Sequence, residues 1–277
     1  MTPNKANMMN GIQNGRPHIT HIIFDFDGIL VDSEDRYSMI HSTCLKSFGK
    51  EFNIHMKYAI LGLRKQDEVR TLLRLNDLDG LVEPEEYIRL YEAQYETLLP
   101  DCPPMPGADD LVHHLHLNAV PMAICSSSGE TEFRIKTRKR FQHWLSMIPI
   151  QVLTATDKEV KRGKPFPDPY LITMSRFKIP PASPRNCLVF EDSINGAESA
   201  LNAGMNCILI PQKQFNCEET MNSINQLRPR LTDVLDSMED FDPSLYGLPG
   251  RFSELEQCPE LETPGAANAQ APCHVFD

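Results

Sequence analysis

The chain has 277 residues, 41% of them hydrophobic and 23% charged, a balance typical of globular proteins and a length sufficient for a large buried core. Lysine and arginine number 27 against 38 aspartates and glutamates, a formal net charge of −11. A surface this acidic repels phosphate backbones and anionic lipid, so neither nucleic acid nor a membrane surface is an expected partner.

Residues 1–17 are rich in Asn, Gly and Met without periodicity and read as a disordered leader. They lack the apolar stretch of a secretory signal, and no run approaches the roughly 20 apolar residues that span a bilayer, so a cytoplasmic protein is expected. Eight cysteines are scattered with no C-x-x-C pair, which argues for reduced thiols rather than a zinc site. Five short apolar runs, at 21–26, 119–125, 150–154, 187–191 and 206–210, read as buried strands. All but the last lead toward a helical segment. The fold class expected is therefore α/β, a doubly wound parallel sheet with helices on both faces.

A helix is predicted over 169–177, with Asp168 as N-cap and Pro169 at its first position. Another is predicted over 194–203, capped by Ser193 and stopped by Gly204. From 34 to 103 there is no convincing strand, only helical patterns such as those at 38–48, 67–75 and 85–99. This stretch reads as a helical-bundle cap inserted into a core made of 18–33 and 104–249. His113, His114 and His116 fall on the solvated face of an amphipathic helix, not in a ligand set. The tail from 250 onward mixes Pro, Gly, Ala and Glu and reads as disordered.

The chemistry gathers at strand ends. The first strand closes on Asp25-Phe26-Asp27-Gly28, where residues two apart share a face and both carboxylates converge. A calcium loop is excluded, because Ile29 and Arg36 stand where that loop needs ligands. The second strand runs into Ser126-Ser127-Ser128-Gly129, hydroxyls and free N–H groups that can cradle an anion, or an ordinary strand-to-helix turn. Lys164 lies between Gly163 and Pro165, and the proline biases its backbone toward an extended form. The fourth strand ends in Glu191-Asp192, a carboxylate pair that would be costly to bury without a cation. The C-terminal edge of an open α/β sheet is where ligands bind. Carboxylates, one lysine and a hydroxyl cradle on one rim describe magnesium-dependent phosphoryl transfer, because a phosphate dianion needs Mg²⁺ and Lys164 to offset Asp25, Glu191 and Asp192.

DFDGILVDS, Ser126 after a hydrophobic strand, GKPFPD and FEDSINGAESALNAGM resemble, in order and spacing, the four motifs of the haloacid dehalogenase superfamily of phosphohydrolases. The helical insertion sits where the cap does in its phosphoglucomutase-like members. DSEDRYS, LVFED and MEDFDPSLYGLP are similar to pseudouridine-5′-phosphatases, and the likeness covers about residues 20–250. The resemblance implies that Asp25 is the nucleophile and Asp27 the general acid and base. It implies that Ser126, Ser127 and Lys164 hold the phosphoryl oxygens. It also implies that Asp25, the Asp27 carbonyl, Asp192 and Glu191 bind Mg²⁺. The cap loop 59–65 has Gly62 for a sharp turn, and in similar capped hydrolases it reads the leaving group, which would bring Arg64 or Lys65 to the substrate.

The expected activity is hydrolysis of a small phosphomonoester, pseudouridine 5′-phosphate by resemblance, with no obligate protein partner evident. Sugar- or glycerol-phosphate hydrolysis and a phosphoglucomutase-like transfer are the enzymatic alternatives. A catalytically degenerate binding protein on the same fold would have lost a motif carboxylate or lysine, and none is lost.

Overall fold

The five apolar runs, joined by one further short strand, form a six-stranded, all-parallel sheet. In the computed structural model, which describes residues 12–13, 16–60, 63–212 and 218–251, the strands are β1 (His21–Phe24), β2 (Met122–Ser126), β3 (Ile150–Leu153), β4 (Cys187–Glu191), β5 (Asn206–Leu209) and β6 (Asp233–Val234). Their spatial order is β3-β2-β1-β4-β5-β6. Ile22 of β1 stands opposite both Met122 and Leu188, which fixes the central register. The winding reverses between β1 and β4, and such a switch point opens a crevice at the strands' C-terminal ends.

The strands carry continuous apolar runs because both faces are covered. Ile22, Phe24, Leu188 and Phe190 point into one buried cluster, with Leu111, Leu115 and Trp144. Ile23, Val189, Cys207 and Leu209 point into the other, with Tyr170 and Ala200. Fully burying each such side chain contributes about 1.5–3 kcal/mol, so the alternation of two separately filled faces holds strand register tightly.

Five helices separate β1 from β2 before α6 (Ala108–Leu117) covers the sheet: α1 (Glu34–Ser47), α2 (Ile54–Ile60), α3 (Lys65–Leu75), α4 (Pro84–Glu92) and α5 (Tyr95–Leu98). They share a third apolar cluster centred on Ile40, Leu72, Leu73, Tyr87 and Tyr91. The short α2 has no clear sequence signature. It is anchored by the buried Lys57, whose ammonium donates to the Glu34 carbonyl at 3.0 Å and to Ser38 Oγ at 2.7 Å.

The remaining helices are α7 (Glu130–Thr137), α8 (Gln142–Met147), α9 (Asp168–Ser175), α10 (Ile194–Asn202) and α11 (Glu218–Leu227). Ser193 caps α10 by accepting the Gly196 N–H, and Gly204 follows that helix with φ +78°, as expected. For α9 the expectation is corrected. Pro167 occupies the cap position and Asp168 lies inside the first turn, where its carboxylate accepts from the Arg162 guanidinium. The fifth strand also leads to a helix, α11, and then to β6, whose two residues are too short to stand out in sequence.

Within the segment read as leader, Arg16–Pro17 pairs antiparallel with Ile12–Gln13, and Arg16 donates to the Tyr246 hydroxyl at 2.7 Å. The rest of that segment, Gly62, and all but the first two residues of the tail lie outside the described residues. Cys125 and Cys187 are buried free thiols, and among the described residues no helix is long and apolar enough to cross a membrane. His113 and His116 are exposed on α6, and His114 meets the Pro249 carbonyl.

Candidate active site

Strand β1 stops at Phe24, one residue before the first carboxylate. Beyond it the chain curls: Gly28 has φ +79°, its N–H donates to the Val31 carbonyl, and Leu30 and Val31 both donate to the Phe26 carbonyl. Asp25 and Asp27 thus converge through this turn rather than through the pleat of a strand. Gly28 is required twice over, because a Cβ there would overlap the Asp192 carboxylate and left-handed φ disfavours other residues.

Asp25, Glu191 and Asp192 are buried, and one oxygen from each lies within 4.8 Å of the others. Lys164, in the loop between β3 and α9, inserts its ammonium between two of them, 2.6 Å from Asp25 Oδ1 and 2.5 Å from Glu191 Oε1. Its peptide bond to Pro165 is cis. Glu191 is fully engaged, accepting also from the Tyr170 hydroxyl and from Ser193 Oγ at 3.1 Å. Burial pushes the Asp25 carboxyl up to about 7, with Lys164 opposing and Glu191 and Asp27 reinforcing. Burial likewise holds Asp192 well above the usual carboxylate range, aided by the charges of Glu34 and Asp25. Burial would discharge Lys164, yet the Asp25 and Glu191 carboxylates hold it well above its ordinary value. One ammonium among three close carboxylates leaves an anionic excess out of water, the donor set that suits a hard divalent cation.

Asp27 faces a second group of partners. Its Oδ1 accepts from Ser33 Oγ at 2.5 Å, and both oxygens accept from the Lys136 ammonium at 2.6 Å. Its Oδ2 accepts from Ser128 Oγ at 3.0 Å and from Ser126 Oγ at 3.5 Å. Ser126 is buried at the end of β2, and its Oγ accepts the Ser128 N–H at 3.1 Å. Ser127 is half-buried and lines the same cleft as Asp25, Asp27, Lys164 and Asp192.

The helical insertion supplies the opposite wall of that cleft: Tyr37, His41, Lys57, Lys65, Glu68 and Tyr91. The Lys65 ammonium sits 3.7 Å above the Tyr91 ring and 3.7 Å from Glu68 Oε2. Arg64 is not on this wall. Its guanidinium donates to the carbonyls of Val160 and Lys161, in the core loop that leads to Lys164, and its stem lies where a Cβ on Gly163 would fall. Of the two cap residues expected near the leaving group, the structure brings only Lys65 to the cleft.

Ser33, Tyr37, Glu132 and Lys136 receive no role from the sequence, and Ser128 enters it only within the Ser126–Gly129 cradle, although three of the five carry a legible signal. Ser128, Glu132 and Lys136 are spaced by four, and the last two are polar residues on the inward face of α7. Burial would raise Glu132, but Lys65, Lys136 and the Tyr37 hydroxyl hold it down to about 2.

A buried acidic trio, an ammonium bound to it and a hydroxyl-lined cleft can take a cation and a dianion side by side. The family model for haloacid dehalogenase-like hydrolases matches residues 22–210, which carry every one of these core groups. A probable pseudouridine-5′-phosphatase from Drosophila melanogaster is 36% identical over 83% of this chain and 95% of its own length. The (DL)-glycerol-3-phosphatase 1, mitochondrial, of Arabidopsis thaliana is 34% identical over 85% of this chain and 76% of its own. Among solved structures, a beta-phosphoglucomutase from Clostridium difficile superposes with TM-score 0.64 at 17% identity, covering 81% of this chain and 93% of that one, a likeness of fold alone. The chain belongs to the haloacid dehalogenase-like hydrolases, and within that family it is a phosphatase.

Proposed function

We propose that the protein hydrolyses pseudouridine 5′-phosphate through an aspartyl-phosphate on Asp25, with Mg²⁺ as cofactor. The observation that carries the mechanism is the separation of two carboxylates two residues apart. Asp25 is bound to Lys164 within the acidic trio, while Asp27 is held by a separate set of partners, hydroxyls and Lys136. Two carboxylates in unlike surroundings divide nucleophile from acid–base work.

In this reading an Asp25 oxygen attacks phosphorus as the bond to the leaving oxygen breaks, and Asp27 gives that oxygen its proton. Water then attacks the aspartyl-phosphate, Asp27 takes a proton from it, and the bond from phosphorus to Asp25 breaks, releasing inorganic phosphate. Ser126, Ser127 and Lys164 hold the equatorial oxygens, where negative charge spreads in the transition state. Asp25, Asp192 and the Asp27 carbonyl would hold Mg²⁺ directly, and Glu191, its oxygens already engaged, would act through water. When bound, Mg²⁺ offsets the charge of the carboxylates and of the phosphoryl group together. Residues 34–103 act as the cap that closes the cleft over the substrate, with Lys65 against the organic part.

The fly relative supports the nucleotide substrate, and the plant relative favours glycerol 3-phosphate as a second reading. Phosphate release from pseudouridine 5′-phosphate, uridine 5′-phosphate, glycerol 3-phosphate and a hexose phosphate, with Mg²⁺ present, decides between them. The highest kcat/KM is expected for pseudouridine 5′-phosphate. A higher value for glycerol 3-phosphate overturns the substrate, and no release from any of the four overturns the activity.

A further inference from the structure

Lys136 has no part in the chemistry above, yet its ammonium meets four acceptor atoms. Its side chain is fully buried at 0% exposure, on the inward face of α7. The ammonium donates to both Asp27 oxygens at 2.6 Å, to the Tyr37 hydroxyl at 2.7 Å and to Ser128 Oγ at 2.8 Å. With three hydrogens to give, it has none left for another partner. Lys136 does not line the cleft, so it reaches a substrate only through what it holds.

What it holds is Asp27, and the grip is two-sided. Ser33 Oγ binds Asp27 Oδ1 from the turn after β1, and Ser128 binds Oδ2 from the turn after β2. A carboxylate engaged at both oxygens by Lys136, Ser33, Ser128 and Ser126 has little freedom to rotate, which is what proton transfer along a fixed line demands. The network then leaves the core. Glu132, one helical turn before Lys136 and 3.8 Å from its ammonium, accepts from the hydroxyls of Tyr37 and Tyr95. Tyr37 stands on α1 and Tyr95 on α5, both in the helical insertion. A polar network thus runs from the insertion to the Asp27 carboxylate, directly through the hydrogen bond from Lys136 to Tyr37 and alongside it through the 3.8 Å ion pair of Lys136 with Glu132.

We infer that Lys136 is a positioning residue that aims the Asp27 carboxylate, and that Tyr37 completes its coordination when the insertion is seated on the core. This rests on Asp27 being the acid–base group proposed above. The competing role is a structural counter-ion for buried charge, which would stabilise the fold without acting through Asp27.

The test is a set of variants of the full chain assayed with Mg²⁺ on the best phosphomonoester found in the screen, each checked for folding by circular dichroism. Lys136→Met is expected to lower kcat roughly 100-fold with KM within about threefold, the scale of a misplaced catalytic group. Lys136→Gln, which keeps a donor, and Tyr37→Phe are expected to lose about tenfold. Asp27→Asn is then combined with Lys136→Met, and the rate of enzyme phosphorylation by acetyl phosphate is measured by rapid quench. Because acetyl phosphate carries a good leaving group, that step depends little on Asp27, and the second substitution should change it by less than about threefold.

A Lys136→Met enzyme with kcat within about threefold of wild type overturns the inference. So does a loss in the Asp27→Asn background as large as in wild type. Should Lys136→Met fail to fold, Lys136→Gln and Tyr37→Phe carry the test, and wild-type kcat in both overturns it. If Asp27→Asn alone turns over at the wild-type rate, the acid–base reading falls first. If it is inactive while the Lys136 variants are unaffected, only the positioning inference falls.

Discussion

The ammonium of Lys164 meets Asp25 Oδ1 at 2.6 Å across a separation of 139 residues in the chain. The same ammonium holds Glu191, so it ties the loop after β3 to the ends of β1 and β4, the two strands that flank the switch point of the sheet. A single buried cation thereby sets the spacing of the groups proposed to handle phosphate.

Replacing Asp25 by Asn keeps its shape and removes the attacking charge. Turnover is expected to fall by at least about three orders of magnitude, measured as phosphate release under saturating substrate. The metal-free melting temperature at pH 7.5 should not fall, because a neutral amide escapes the desolvation that raises this carboxyl to about 7. Near-wild-type turnover would remove the covalent mechanism.

The acidic trio predicts a pH dependence of metal stabilisation. Asp25 and Asp192 both have raised folded-state values, so between about pH 4, where an unfolded carboxyl titrates, and about 7 the folded chain binds more protons than the unfolded one. The contribution of these two carboxyls to the stability of the metal-free protein therefore falls as pH rises through that window. A cation competes with those protons, so the upward shift in melting temperature on adding Mg²⁺ should be larger at pH 8 than at pH 5.5. Equal shifts in a fluorescence melt at the two pH values would argue against these carboxylates as the ligands.

Ser128 joins Asp27 to Lys136 at 3.0 and 2.8 Å. Removing one hydrogen bond to charged groups costs about 1.5–3 kcal/mol when both partners are buried, and Ser128→Ala should lower kcat about tenfold on that scale. KM should change little, because Ser128 faces Asp27 rather than the phosphoryl cradle. A large rise in KM with kcat unchanged would instead place Ser128 in phosphate binding.

Arg64 and Lys65 are neighbours with different expected phenotypes. Arg64 docks the insertion on the core through two backbone carbonyls, so Arg64→Ala should lower kcat/KM by a similar factor for every phosphomonoester. Lys65 lines the cleft above Tyr91, so Lys65→Met should change the ratios among pseudouridine 5′-phosphate, a hexose phosphate and an aryl phosphate. Altered ratios for Arg64→Ala, with constant ratios for Lys65→Met, would reverse this assignment.

The sequence by itself determined the parallel α/β sheet, because buried strands with both faces covered read as unbroken apolar runs, and runs such as 187–191 need no context to be recognised. It also determined which groups stand at the rim, since Asp25, Ser126, Lys164, Glu191 and Asp192 end or follow strands whose C-terminal ends must share one edge. Only the tertiary structure decided how they are partnered. That Asp25 pairs with Lys164 while Asp27 pairs with Lys136 depends on a turn at Gly28, on strand order and on the seating of α7, contacts between residues more than a hundred positions apart. The same holds for the cap loop, where local pattern cannot tell which of two adjacent basic residues faces the cleft. Hydrogen bonds to the Val160 and Lys161 carbonyls send Arg64 to the loop before Lys164 and leave Lys65 lining the cleft.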